Sequence, residues 1–132
     1  MTKPAIKITA ILGALILLAG ALFHFSAMAH VKASLGRVSP EAMDVFFNQA
    51  LAGMWMMPAV HWIFIAFLSI GLSRYKSNSC AAILMAFGCW VLVDALITFM
   101  HVGAFAGVYM LGLAGLLLLA SGLMLRKQMQ QE

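Results

Sequence analysis

The sequence predicts an all-α membrane protein, a bundle of four transmembrane helices that forms a single domain over residues 1–132. Hydrophobic residues make up 64% of the chain and charged residues 9%, against roughly 45–50% and about 25% in ordinary globular proteins. The apolar residues also fall into four runs, each close to the ~20 residues that cross a hydrocarbon core. Because a lone apolar segment in lipid must satisfy its own backbone hydrogen bonds, each run is assigned as a helix.

The four predicted spans follow the chain in order and leave one long loop. They cover approximately residues 8–29, 50–72, 80–101 and 103–125. The outer loop between the first two spans covers residues 31–49. Since the second loop is short and the third is nearly absent, we expect spans two, three and four to be tight antiparallel neighbours.

Span one has a second interpretation. Lys3 and Lys7, followed by an apolar core and the triplet Ala27–Ala29, resemble a secretory signal peptide with an A-x-A cleavage site. Cleavage after that triplet would leave His30 as the new N-terminus and three spans in the mature protein.

The outer loop contains a predicted amphipathic segment. Ser39–Glu41 has the pattern of a helix start, with serine as the cap, proline in the first turn and an acid near the positive end of the dipole. The mixed apolar and polar residues that follow are typical of a short helix on the outer membrane surface. Span two must then bend as it enters the bilayer, near Gly53 or at Pro58.

The basic residues predict the orientation of the bundle. Two of them, Lys32 and Arg37, lie in the outer loop, and six lie in the segments on the side of the termini. Those six are Lys3, Lys7, Arg74, Lys76, Arg126 and Lys127. The positive-inside rule therefore predicts both termini in the cytoplasm, in the cytoplasmic (inner) membrane of a bacterium. Nucleic acid is not an expected partner, because these residues form small groups beside apolar spans.

A faint internal repeat predicts two parallel helix hairpins. Residues 50–57 (ALAGMWMM) are similar to residues 104–111 (AFAGVYML), and each stretch lies at the outer start of a descending span. Both ascending spans end in a His-Val pair, at His30 and His101. Two hairpins related by an axis along the membrane normal would explain the pattern. Chance similarity between helices rich in small residues is the alternative.

The predicted site is built around Asp94, since a carboxylate near the centre of a span costs about 2.5–3.5 kcal/mol on insertion scales. Asp94 lies about 10 Å below the outer end of span three, and His24 lies roughly 6–8 Å below the outer end of span one. Thr98 and His101 follow Asp94 on one stripe of the helix. His61 lies about 16 Å down span two. We expect Asp94 to be the titrating group, with His24 and His101 as its partners and His61 as a relay group deeper in the membrane.

A second candidate site is a stripe of soft ligands. Met54, Met57 and His61 recur at i, i+3 and i+7 on span two, and thioether and imidazole groups suit Cu(I). With 11 methionines in the chain, ordinary packing also produces such stripes. Paired histidines could instead ligate a b-type haem or line a quinol site. The depths of His24 and His61 differ by about 10 Å, which argues against bis-histidine haem.

These features favour proton-linked binding or permeation of a small solute or ion. A bundle this thin would need a homo-oligomer or a larger membrane complex to form a pathway. The alternative is a non-catalytic interaction protein, an accessory subunit or a toxin-immunity protein, with the outer loop as its recognition surface. In a purely structural interpretation, Asp94 accepts hydrogen bonds from His24, Thr98 or Trp90 and locks the bundle. The sequence has no nucleophile–base set, phosphate loop or zinc motif, so nothing in it indicates an enzyme.

Overall fold

The computed structural model describes residues 2–37 and 45–131, without the side chains of residues 45–49 and 52. Over those ranges the chain is helical and has no strand. The helices are α1 (Pro4–Ser26), α2 (Met28–Leu35), α3 (Val45–Leu72), α4 (Asn78–Val102) and α5 (Ala106–Gln130). In the described part of the chain, four segments are long and apolar enough to cross a membrane. They are Pro4–Leu35, Gly53–Leu72, Asn78–Val102 and Ala106–Gln130. The prediction of an all-α protein with four such helices is confirmed.

Local chemistry explains where the helices begin and end. Helix α1 begins at Pro4, where the missing N–H would have had no helical partner. At the start of α4, the hydroxyl oxygen of Ser77 accepts a hydrogen bond from the Ser79 N–H at 3.2 Å. Gly103 ends α4 with a φ of 87°, a left-handed conformation that glycine adopts without penalty. The connection to α5 is therefore short.

The segment between the first two spans is partly helical. Only Ala27 separates α1 from α2, so helical structure continues to Leu35, within the stretch that sequence analysis assigns to the outer loop. Helix α3 is already under way at Val45, ahead of the predicted start of span two at residue 50. The predicted helix start at Ser39–Glu41 lies outside the described residues.

The helices pack in the order α3–α1–α5–α4. Helix α5 packs most extensively against α4 and also against α1, and α1 packs against α3. Helices α3 and α4 touch only sparsely, although the connection between them is short. The prediction of tight antiparallel neighbours is therefore confirmed for α4 and α5 and is wrong for α3 and α4.

Glycines explain why α4 and α5 approach so closely. A Cβ atom placed on Gly88 would lie 2.5 Å from the backbone N of Leu119, and one placed on Gly122 would lie 2.8 Å from the backbone N of Met85. Small residues of this kind drive helix packing in lipid, because the apolar side chains gain little by leaving an apolar solvent. By contrast, a Cβ atom on Gly71 of α3 would have no neighbour within 4 Å.

Polar contacts tie α1 to α5 at the end of the bundle that holds both chain termini, which we call the terminal end. There the Ser121 hydroxyl donates to the Ile6 carbonyl at 3.0 Å, and the Lys3 N–H donates to the Gln128 side-chain oxygen at 3.1 Å. A buried apolar cluster lies beside these contacts and consists of Ile6, Ala81, Leu84 and Leu125. The opposite end of the bundle, which we call the far end, contains a cavity.

Candidate functional site

A cavity of about 520 Å³ lies at the far end of the bundle. Residues of α1, α3, α4 and α5 line it, together with Phe105 from the connection before α5. Most of the lining is apolar, and its large members are Phe23, Met54, Trp55, Trp62, Phe105 and Met110. Ligand pockets typically have volumes of about 300–1,000 Å³, so this cavity is large enough for a small organic molecule.

His24 joins α1 to α3 at one wall of the cavity. Its ring stacks on the Trp55 indole with the ring centroids 4.3 Å apart and the planes 8° from parallel. The His24 ring nitrogen Nε2 is hydrogen-bonded to the Trp55 carbonyl, and Trp55 Nε1 donates to the His24 carbonyl at 3.2 Å. The two residues therefore fix each other through a stacked pair and two reciprocal hydrogen bonds.

Pro58 lies close to the turn of α3 that receives this bond. It lies inside α3, three residues after Trp55. Proline has no N–H to donate to the Met54 carbonyl four residues earlier, and its ring crowds that carbonyl, so the regular hydrogen bonding of the helix is interrupted at this turn. The Trp55 carbonyl at the same turn takes its bond from the His24 ring on α1.

Trp62 joins the cavity to Asp94. The indole is buried, and its Nε1 donates to a carboxyl oxygen of Asp94 at 3.1 Å. The same ring meets His24 edge-on, with centroids 5.3 Å apart. Thr98 donates its hydroxyl at 2.7 Å to the main-chain carbonyl of Asp94 and not to its carboxylate. Among the described side chains, the donor to the carboxylate is therefore Trp62, and not His24, Thr98 or Trp90 as the structural interpretation of the sequence expects.

The structure divides the predicted polar site residues into two groups. His24, Thr98 and His101 line the cavity. Asp94 and His61 are not among the lining residues, and Asp94 is connected to the cavity wall through its hydrogen bond with Trp62. His61 is exposed on the surface of α3.

The predicted stripe of soft ligands is divided in a similar way. Met54 lines the cavity, whereas Met57 and His61 do not. Among the described histidine, cysteine and acidic side chains, no group of three lies close enough to hold a metal ion. The copper, haem and quinol hypotheses stay predictions.

Sequence reasoning missed the two indoles that form the cavity wall. Trp55 and Trp62 are not part of either site that the sequence predicts. Their spacing of seven residues on α3, with Pro58 between them, places both rings on one face of the helix and could have indicated a shared role.

The outer loop, which the interaction hypothesis takes as a recognition surface, is described only as far as Arg37 and again from Val45. That hypothesis therefore stays a prediction. Comparison of the chain with protein-family models, with curated proteins and with solved structures finds no match.

Proposed function

We propose that this protein is a multi-pass protein of a bacterial cytoplasmic membrane that binds a small molecule in the outer half of the bilayer. The observation that supports the proposal is the cavity, a concave and mostly apolar space with a few polar groups from His24, Thr98 and His101. That combination is typical of ligand sites. The basic residues favour a cytoplasmic terminal end, so that the far end with its cavity faces outward.

Close packing below the cavity favours binding over permeation by a single copy. Leu84, Leu118 and Leu125 have no exposed surface there. A pathway to the cytoplasm would need to open this region or to pass between copies of the chain.

The position of Trp62 limits the part that Asp94 can take in proton linkage. An indole N–H donates a hydrogen bond but cannot accept a proton, so it does not relay protons between His24 and Asp94. In this proposal Asp94 acts on the ligand indirectly, by holding the Trp62 ring in the cavity wall.

Indole fluorescence can test whether the cavity binds a molecule. The chain has three tryptophans, and the Trp90→Phe background leaves Trp55 and Trp62 as reporters on the cavity wall. The probe is 1-adamantanol, a compact apolar body with one hydroxyl, added to the protein in lipid nanodiscs. We expect a saturable change in emission.

A cavity-filling variant and a matched control make the test specific. A Cβ atom on Gly20 would have Trp62 as its nearest neighbour, at 4.0 Å, so a larger side chain there extends into the cavity. Gly20→Leu should weaken binding about tenfold, because overpacking costs roughly 1–3 kcal/mol. Gly112→Leu, outside the cavity and with no neighbour within 4 Å, should leave binding unchanged. No saturable change in the parent protein, or equal binding by both variants, would refute the proposal.

A further inference from the structure

The side-chain hydrogen-bond donors of the cavity wall are engaged within the protein, beginning with the indoles and the hydroxyl. Trp55 Nε1 donates to the His24 carbonyl, and Trp62 Nε1 donates to the Asp94 carboxylate. The Thr98 hydroxyl donates to the Asp94 carbonyl. Its single hydrogen is then used, and only the lone pairs of its oxygen remain for a ligand.

The same holds for the two imidazoles. His24 Nε2 is bonded to the Trp55 carbonyl, and His101 Nδ1 is bonded to the Ile97 carbonyl at 2.9 Å. Because a carbonyl can only accept, both of these ring nitrogens must carry the hydrogen. In a neutral imidazole the second nitrogen is then an acceptor. In the neutral rings, His24 Nδ1 and His101 Nε2 therefore carry lone pairs, and the two rings are opposite tautomers.

Given the proposed function, we infer that the ligand has an apolar body and carries O–H or N–H groups. With both imidazoles neutral, the polar side chains that line the cavity have only acceptors left for a ligand, which are His24 Nδ1, His101 Nε2 and the Thr98 oxygen. A ligand that brings donors satisfies these atoms when it displaces water. A ligand that brings only acceptors leaves them desolvated and unpaired, which is unfavourable. The rings of Trp55 and Trp62 contact the apolar body.

The same lone pairs, with the thioethers of Met54 and Met110 in the lining, could also attract a soft metal ion. The volume of about 520 Å³ favours a molecule, because an ion would occupy a small part of it. Binding of Cu(I) in a one-to-one ratio, with loss of the probe binding described next, would replace this inference with a metal site.

The inference is tested with two probes that differ by one donor. The first is 1-adamantanol and the second is 1-methoxyadamantane, its methyl ether, which keeps the oxygen and the apolar body but has no O–H. Both are titrated into the Trp90→Phe protein in nanodiscs. We expect the alcohol to bind about tenfold more tightly than the ether, since the ether leaves an acceptor of the wall unpaired.

Histidine variants show which side chain causes the preference for the alcohol over the ether. His101→Phe keeps the ring shape at an exposed position and removes the acceptor, so the ratio of the two affinities should fall towards one. His61→Phe, an exposed histidine outside the cavity, should keep the full ratio. If both probes bind the parent protein equally well, the donor inference is wrong and the cavity is still a binding site. If neither probe binds, the proposed function itself fails.

A measurement without any ligand tests the same inference. Nitrogen-15 NMR of histidine-labelled protein distinguishes a ring nitrogen that carries hydrogen from one that does not. We expect the hydrogen of His24 on Nε2 and that of His101 on Nδ1. The reverse assignment at either ring would place a donor in the cavity and contradict the acceptor-only wall.

Discussion

At the scale of single residues, the cavity is shaped by side chains that bond to partners on neighbouring helices or one turn away on the same helix. His24 and Trp55 hold each other across α1 and α3, and Trp62 reaches from α3 to Asp94 on α4. Helices α3 and α4 otherwise touch only sparsely. The bond from Trp62 to Asp94 is therefore a principal link between these two helices.

Removal of the indole N–H of Trp62 should show how much the hydrogen bond to Asp94 stabilises the protein. Trp62→Phe leaves the half-buried Asp94 carboxyl without its donor, and we expect the free energy of unfolding to fall by about 1–3 kcal/mol. Unfolding by sodium dodecyl sulfate in mixed micelles gives the value. Trp90→Phe, at an exposed position with 59% of its surface accessible, should change stability by less than about 0.5 kcal/mol.

A double-variant cycle separates the hydrogen bond from the loss of ring size. Combined with Asp94→Leu, the Trp62→Phe substitution leaves no acceptor unpaired, so its cost should become smaller than in the parent protein. An equal cost in both backgrounds would mean that the bond contributes nothing and that Trp62 stabilises the bundle by packing alone.

The sequence predicted that Asp94 needs a partner, because an acid in an apolar span is costly. It did not identify Trp62, because the donor depends on which face of α3 turns toward α4. It did identify three polar residues of the cavity wall, His24, Thr98 and His101, by depth and by helical spacing. The same reasoning placed Asp94 and His61 with them, since depth alone does not show which side chains line a cavity.

At the scale of the elements, glycines determine which helices are close neighbours. Loop length brings two helix ends together but does not make their faces fit, which explains why the prediction was wrong for α3 and α4. Between α4 and α5 the backbones approach closely at Gly88 and Gly122. The spans themselves were predictable because composition alone defines an apolar run of sufficient length.

Two glycines of α5 offer a matched comparison. A Cβ atom on Gly122 would lie 2.8 Å from the backbone N of Met85, whereas one on Gly112 would have no neighbour within 4 Å. Gly122→Ala should destabilise the protein by about 1–3 kcal/mol, because the helices must move apart. Gly112→Ala should be neutral or stabilising by up to about 1 kcal/mol, since alanine is the better helix former. Equal effects in the same unfolding assay would argue against the close approach.

At the scale of the whole molecule, the proposal depends on the orientation of the bundle. The cavity faces outward only if the terminal end is cytoplasmic, as the distribution of basic residues favours. With Cys80 and Cys89 replaced by alanine, single cysteines at Ser34 and Tyr75 report on the two ends. A membrane-impermeant maleimide should label Ser34→Cys in intact spheroplasts and Tyr75→Cys only after lysis. The opposite pattern would put the cavity on the cytoplasmic side.

The measurement that tests the central claim most directly is photolabelling of the protein in nanodiscs with adamantyl diazirine, followed by mass spectrometry of its peptides. If the far-end cavity is a ligand site, the carbene formed by light should modify buried residues of its lining, such as Trp62 and Leu111, and excess 1-adamantanol should suppress that labelling. Labelling confined to exposed side chains on the surface of the bundle, such as Phe64 and Trp90, with no effect of the alcohol, would contradict the claim.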